Sequence, residues 1–107
     1  MQGTVLYIRW EKDHERVISL LEREAREYRP TIGHDYAAIW DFRQDSCMQL
    51  LQLAETIIHS VDRDNWTHIG LRVQLQIGIA AGQMDPTRPM SSTPFSGAQE
   101  QAKSASN

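Results

Sequence analysis

The stretch TIGHDYAAIWDF, residues 31–42, decides the fold of this chain. Its later part, residues 36–42, is apolar and aromatic, which predicts a β-strand. The segment before it, residues 28–33, contains Pro30, which favours an extended backbone, and can pair back through a turn at Gly33. The stretch therefore predicts a β-hairpin in the first half of the chain.

Strand and helix patterns flank the hairpin on both sides. A strand over residues 4–10 and a helix over 12–28 precede it, and a helix over 47–61 and a strand over 71–80 follow it. The helices carry apolar residues at spacings of three and four, and the last strand alternates apolar with polar residues. The order β-α-β-β-α-β predicts an α+β, ferredoxin-like core, with an antiparallel sheet and two helices on one face.

The composition changes after Gly82, where three of the four prolines and many serines and glutamines occur. We interpret residues 1–82 as the ferredoxin-like core and 83–107 as a polar, Pro/Ser-rich arm. Within the arm, residues 83–95 are expected to form a loop and 97–105 a weak helix. Because both predicted helices lie on one face of the sheet, its other face is expected to be open.

Composition limits the function classes. The chain has 107 residues, 40% of them hydrophobic and 23% charged, which is typical of one soluble domain. A net charge of −3 gives no electrostatic reason to expect nucleic acid. No apolar run approaches the ~20 residues of a membrane span, and a single cysteine excludes an internal disulfide. We expect a cytoplasmic protein without nucleic-acid or membrane partners.

The hairpin turn carries a histidine and an acid, His34 and Asp35. They could form an acid–base pair, or ligate a metal together with another carboxylate. The alternative is structural, because His, Asp and Gly tolerate the positive φ of a tight turn, and we favour it. The other histidines do not form an i, i+4 metal pair: His14, His59 and His68.

Two further features have a functional and a structural interpretation. Cys47 lies near a predicted helix start, which can activate a thiol, but a lone cysteine there is more often an apolar filler. Tyr7, Tyr36 and Trp40 could form a base-stacking platform on the open sheet, although the strands lack the basic, glycine-punctuated pattern of RNA-binding sheets. We favour core or interface roles for these aromatic residues.

Four stretches together resemble the catalytic domain of class III adenylate/guanylate cyclases: VLYIRW, IGHDYAAIWDF, LRVQLQIGIAAGQM and FSGAQEQAKSAS. In that family a first strand ends in a metal-binding Asp, and a hairpin carries Gly-Asp before an apolar strand. A strand of the type LRVRIGIHTG follows later, and LRVQLQIGIAAGQM is its most specific counterpart here. The resemblance runs from residue 4 to about 105 and implies the same β-α-β-β-α-β core.

The departures from the family pattern concern its catalytic residues. The first metal-binding Asp falls on Arg9, and the second on His34, or on Asp35 if one residue is inserted. In the late helix, the Asn and Arg that bind ribose and phosphates are replaced: Gln99 or Glu100, and Lys103 or Ser104. The chain also ends where the family continues into further strands. Two-metal catalysis needs both carboxylates, so the resemblance implies no bound metal or other cofactor and no turnover.

The leading hypothesis is a non-catalytic cyclase-like domain that acts as a regulatory or interaction module in signalling. Family members place their active sites between two subunits, so we expect a homodimer or another protein partner. The expected interface residues are Tyr36, Trp40, Gln74 and Gln76. The alternatives are a nucleotide or anion sensor without turnover, and a nucleotide cyclase completed by a partner chain. The expected ligand-binding residues are Arg9, His34, Asp35 and Arg72.

Overall fold

A computed structural model describes residues 1–67 and 73–104 of the chain. Its four-stranded antiparallel sheet has the order β2-β3-β1-β4. The strands are β1 (Gln2–Arg9), β2 (Thr31–Ile32), β3 (Tyr36–Asp41) and β4 (Gln76–Gln83). The α-helices in the described part are α1 (His14–Glu24), α2 (Ser46–Thr67) and α3 (Thr93–Ser104). The predicted α+β fold and its β-α-β-β-α-β order are confirmed.

The main core lies between the sheet and the first two helices. Alternate residues of β1 point into it, since successive strand residues face opposite sides of a sheet. The core residues of β1, α1 and α2 are Leu6, Ile8, Val17, Leu20, Leu21, Leu50, Leu53, Ala54, Ile57 and Val61. Among the described residues, no helix is long and apolar enough to cross a membrane.

The last strand begins later than the sequence indicates. Val73 is buried, and its backbone N–H and C=O both bond to the side-chain amide of Asn65, at 2.8 and 3.0 Å. The amide satisfies backbone groups that a neighbouring strand would otherwise pair, so regular pairing starts only at Gln76. The predicted alternation holds, because Leu75, Ile77 and Ile79 pack against the main core.

The expectation of an open second sheet face is wrong. Helix α3 packs on that face over β1 and β4, and it begins at Thr93 within the segment predicted as a loop. It forms a second apolar cluster with the sheet: Val5, Tyr7, Ala38, Met84, Phe95, Ala98 and Ala102. The helix approaches closely because β4 presents small residues to it. A Cβ added at Gly78 would lie 1.9 Å from the carbonyl oxygen of Ala98.

Helix α3 also protects the free edge of the sheet. Within residues 1–67 and 73–104, strand β4 is an edge strand that pairs with β1 alone, and such edges expose unpaired backbone donors. The side-chain carbonyl of Gln101 accepts a hydrogen bond from the backbone N–H of Ile79 at 3.0 Å. This contact pairs one backbone donor of the edge strand. Helix α3 therefore covers one face of the sheet and also protects part of its β4 edge.

Candidate functional site

The C-terminal end of β1 places Arg9 between two neighbouring strands. Its partners in the antiparallel register are Tyr36 on β3 and Gln76 on β4. Directly opposite residues project to the same face of a sheet, so these three side chains form a row on the α3 face. Arg9, Tyr36 and Gln76 are each half-buried. The row combines a cation, a phenol and an amide.

The hairpin turn closes the same end of the sheet. The backbone N–H of Gly33 donates to the carbonyl of Tyr36 at 2.8 Å, and that of Trp10 donates to the carbonyl of Asp35 at 3.1 Å. His34 and Asp35 are exposed, and neither has a positive φ. The structural reason given for these residue types in the turn is therefore wrong.

In the described part of the chain, no hydrogen bond or ion pair joins the two side chains that the sequence suggested as a pair. The His34 ring lies 6.3 Å from the ring of His14, whose Nδ1 accepts a hydrogen bond from Trp10 Nε1 at 3.2 Å. Asp35 instead acts electrostatically on Tyr7, as Arg9 does. The turn thus directs its histidine toward the start of α1 and brings its carboxylate into the electrostatic environment of Arg9.

Tyr7 lies beneath α3, next to this row, in an aromatic layer with Tyr36 and Phe95. Its ring stacks on Tyr36 at a centroid distance of 5.3 Å and meets Phe95 edge-on at 5.6 Å. Gln99 Nε2 donates a hydrogen bond to the Tyr7 hydroxyl at 3.4 Å. Burial raises the pKa of the Tyr7 phenol, and Asp35 raises it further, whereas Gln99 and Arg9 oppose the shift. The layer joins the end of the sheet to α3.

Gln76 brings an unusual polar atom to the row. Its side-chain oxygen Oε1 is buried, and no donor in the described part of the chain pairs with it. Buried acceptors are usually hydrogen-bonded, so an unpaired one is costly. A donor group entering beside Arg9 would relieve that cost.

Carboxylates and thiols elsewhere do not add a ligand set to this site. Within residues 1–67 and 73–104, no group of three or more His, Cys, Asp or Glu side chains is arranged to hold a metal ion. Asp41, at the other end of β3, bonds to the side chain and backbone of Arg43, which holds the pKa of its carboxyl below the ordinary range. Cys47 is exposed near the start of α2 and is a free thiol.

The structure places the predicted interface residues on β3, in the row with Arg9, and before the start of β4. Tyr36 and Trp40 are half-buried beside the α3 cluster, as is Phe42, which the sequence did not suggest as an interface residue. We call these three residues the β3 aromatic strip. Gln74 is exposed before the start of β4, and Gln76 belongs to the row with Arg9. Arg72, a predicted ligand residue, lies outside the described residues.

No family model and no curated protein matches this chain. Among solved structures it is similar to the catalytic core of a rhodopsin-guanylyl cyclase with converted specificity, determined in complex with ATPαS. The match has a TM-score of 0.63 and 12% identity, and covers 95% of this chain and 71% of that one. The chain therefore has a cyclase-like fold.

Proposed function

We propose that this chain is a cyclase-like domain that does not cyclise nucleotides and that works as a self-associating regulatory or interaction module. The observation that carries the proposal is the position of Arg9, at the end of β1 between Tyr36 and Gln76. The sequence resemblance puts a metal-binding carboxylate at this position. A guanidinium there repels a divalent ion instead of ligating it.

Binding of a divalent metal ion can be tested separately from cyclase activity. Titration of Mn²⁺ into the protein, followed by calorimetry, should give no saturable binding. The double variant Arg9→Asp/His34→Asp restores two carboxylates and should bind Mn²⁺ measurably, whereas the matched variant Arg9→Asn/His34→Asn should not. Saturable binding of Mn²⁺ to the unaltered chain, lost in Arg9→Asn/His34→Asn, would contradict the proposal.

We propose that the chain self-associates through the β3 aromatic strip. Tyr36, Trp40 and Phe42 are only partly covered by α3, and aromatic residues commonly form the centre of an interface. Strand β2 pairs with β3 only at Ala37 and Ala38, so the described chain offers no strand partner to the rest of that edge. A symmetric dimer would use the same surface of both copies.

Light scattering over a concentration series tests this surface. The protein should exceed the 12.3 kDa of one chain at micromolar concentration. Trp40→Ala should weaken the dimer by about tenfold or more, because central aromatic residues contribute most to such interfaces. Trp66→Ala removes an exposed tryptophan from α2 and should leave the dimer intact. Equal effects of the two substitutions would exclude the aromatic strip as the interface.

A second candidate is a nucleotide or anion sensor without turnover. The buried, unpaired Oε1 of Gln76 beside Arg9 supports it, because a ligand with a phosphate and a donor group would pair with both. Calorimetric titration with ATP, GTP and inorganic phosphate tests this alternative. Nucleotide binding that is lost in both Arg9→Gln and Gln76→Leu would favour the sensor. The absence of nucleotide binding would exclude the sensor and favour the interaction module.

A further inference from the structure

The solvent face of α2 carries an apolar stripe that no element of the described chain covers. Its large apolar residues are Met48, Leu51, Ile58 and Trp66, with exposed fractions of 62, 47, 45 and 85%. At 100° per residue they fall within an arc of about 80° on the helix. The buried stripe of α2 lies on the opposite side of the same helix: Leu50, Leu53, Ile57 and Val61. The helix is therefore apolar on two sides.

The solvent stripe is long enough to receive another helix. From Met48 to Trp66 it extends about 27 Å at the ordinary helical rise. Single exposed apolar residues need no explanation, but an aligned set along one helix commonly marks an interaction site. Spacings of three, seven and eight residues are those of a helix that packs along another helix.

The charges on this stripe identify the kind of partner. Glu55 and Asp62 lie within the same arc as the apolar residues, are exposed, and form no ion pair within the described chain. No Lys or Arg falls in the arc. The stripe therefore presents carboxylates between apolar side chains, which complements Lys and Arg beside an apolar seam.

A second copy of the chain fits this stripe poorly. A parallel α2–α2 pair would bring Glu55 and Asp62 each against its own copy. An antiparallel pair that matches Leu51 with Ile58 would bring the two Glu55 side chains together at the centre. Like charges at such contacts are destabilising, and the net charge of −3 adds to the repulsion.

We propose that the solvent stripe of α2 docks a basic amphipathic helix of a partner protein. Leu51 and Ile58 contact the apolar seam of that helix, Glu55 and Asp62 pair with its flanking Lys or Arg side chains, and Trp66 closes one end. The stripe lies across the main core from the Arg9 row and the β3 aromatic strip. The inference thus goes beyond the proposed function, and each can fail separately.

A synthetic amphipathic helix tests this docking on the intact chain. The probe has about three heptads, with leucine at positions a and d and lysine at e and g. Binding should change the fluorescence of Trp66, because that side chain passes from solvent into an interface. Leu51→Lys should weaken binding by about tenfold, as expected for a central apolar contact. Thr56→Lys adds the same residue elsewhere on the exposed surface of α2, and it should change binding much less.

A charge exchange separates this partner from other occupants. Glu55→Lys/Asp62→Lys should reject the lysine probe and bind a probe with glutamate at e and g. The inference is overturned if the two probes bind all variants alike, or if Leu51→Lys and Thr56→Lys behave equally. It is also overturned if Leu51→Lys dissociates a dimer of the chain, which would make a second copy the occupant, or if neutral lipid vesicles produce the same Trp66 response.

Discussion

Substitution of Gly78 by alanine tests how α3 docks on the sheet. The added Cβ would lie 1.9 Å from Ala98 O, 2.7 Å from Ala102 N and 2.8 Å from Gln101 Cβ. Ordinary contact begins at 3.4 Å, so α3 would have to move by about 1.5 Å. Two of the opposing atoms belong to the helix backbone, which cannot rotate away as a side chain can.

The expected cost of Gly78→Ala is about 3 kcal/mol, the upper part of the range for overpacking. For a domain of this size that corresponds to a melting temperature lower by roughly 15 °C. Urea unfolding followed by circular dichroism measures the free energy of unfolding. The phenolate absorbance follows the three tyrosines together, and its difference from that of Tyr7→Phe reports on Tyr7. Once α3 no longer buries Tyr7, the raised pKa of its phenol should fall back toward its ordinary value.

Gly97→Ala is the matched control. Among the described residues its Cβ would meet only the side chain of Ala80, at 3.3 Å. Alanine in a helix is more favourable than glycine by about 1 kcal/mol. This variant should be as stable as the parent protein or slightly more stable. If Gly78→Ala unfolds with the same free energy as Gly97→Ala, α3 does not pack on β4 as described.

Three further substitutions probe the aromatic layer around Tyr7, the hairpin strand β3 and the register of the last strand. Burial favours the neutral phenol of Tyr7, so its contribution to stability is present below pH 10 and is lost as the pH rises through the raised pKa. Tyr7→Phe should therefore unfold at a higher alkaline pH, and an unchanged alkaline midpoint would contradict this. The hydrogen bond from Arg43 lowers the pKa of Asp41, so that stabilisation is present above the unfolded value of 3.8 and is lost as the pH falls below it. Asp41→Asn should have a lower melting temperature than the parent protein at neutral pH and the same melting temperature at about pH 2. A difference that persists at about pH 2 would refute the stabilising role of the Asp41–Arg43 contact. Leu75→Ala should lower the free energy of unfolding by about 2 kcal/mol, because the side chain is only partly buried. Gln74→Ala, at an exposed position, should lower it by at most about 0.5 kcal/mol. Equal losses would show that the register of the strand is shifted.

The sequence predicts the main core well because its signal is periodic. The apolar stripes of α1 and α2 and the alternation in the last strand identify the residues that meet between sheet and helices. The prediction ends α2 at residue 61, but the helix continues to Thr67. Beyond Val61 the helix is polar except for Trp66, and Asp64 on it pairs with Arg16 of α1, a contact that periodicity does not reveal.

Helix α3 was underestimated because its packing depends on small residues. Ala98 and Ala102 carry little hydrophobic signal, yet they fit the shallow surface of β4 at Gly78. The start of the helix did carry a signal. Ser92 Oγ accepts a hydrogen bond from the N–H of Phe95, and a serine shortly before Pro94 is a common helix start.

The candidate site was predictable in part. The row of Arg9 with Tyr36 follows from the pairing of β1 with β3, which the predicted β-α-β-β-α-β order implies. The position of the His34 ring, 6.3 Å from the ring of His14, depends on the local path of the turn, and no pattern in the sequence encodes it. The contact of Gln99 with Tyr7 depends on the docking of α3, so it could not be derived before that docking was known.

Cyclic nucleotide formation tests the central claim most directly. The homogeneous protein is incubated with ATP or GTP and Mn²⁺ or Mg²⁺, over the concentration range in which light scattering reports the dimer, and products are quantified by mass spectrometry. Because the sequence resemblance puts Arg9 at the position of a metal-binding carboxylate, the account predicts no cyclic AMP or cyclic GMP above a heat-inactivated control. Cyclic nucleotide formed in proportion to protein concentration, and lost on removal of the metal, would contradict it.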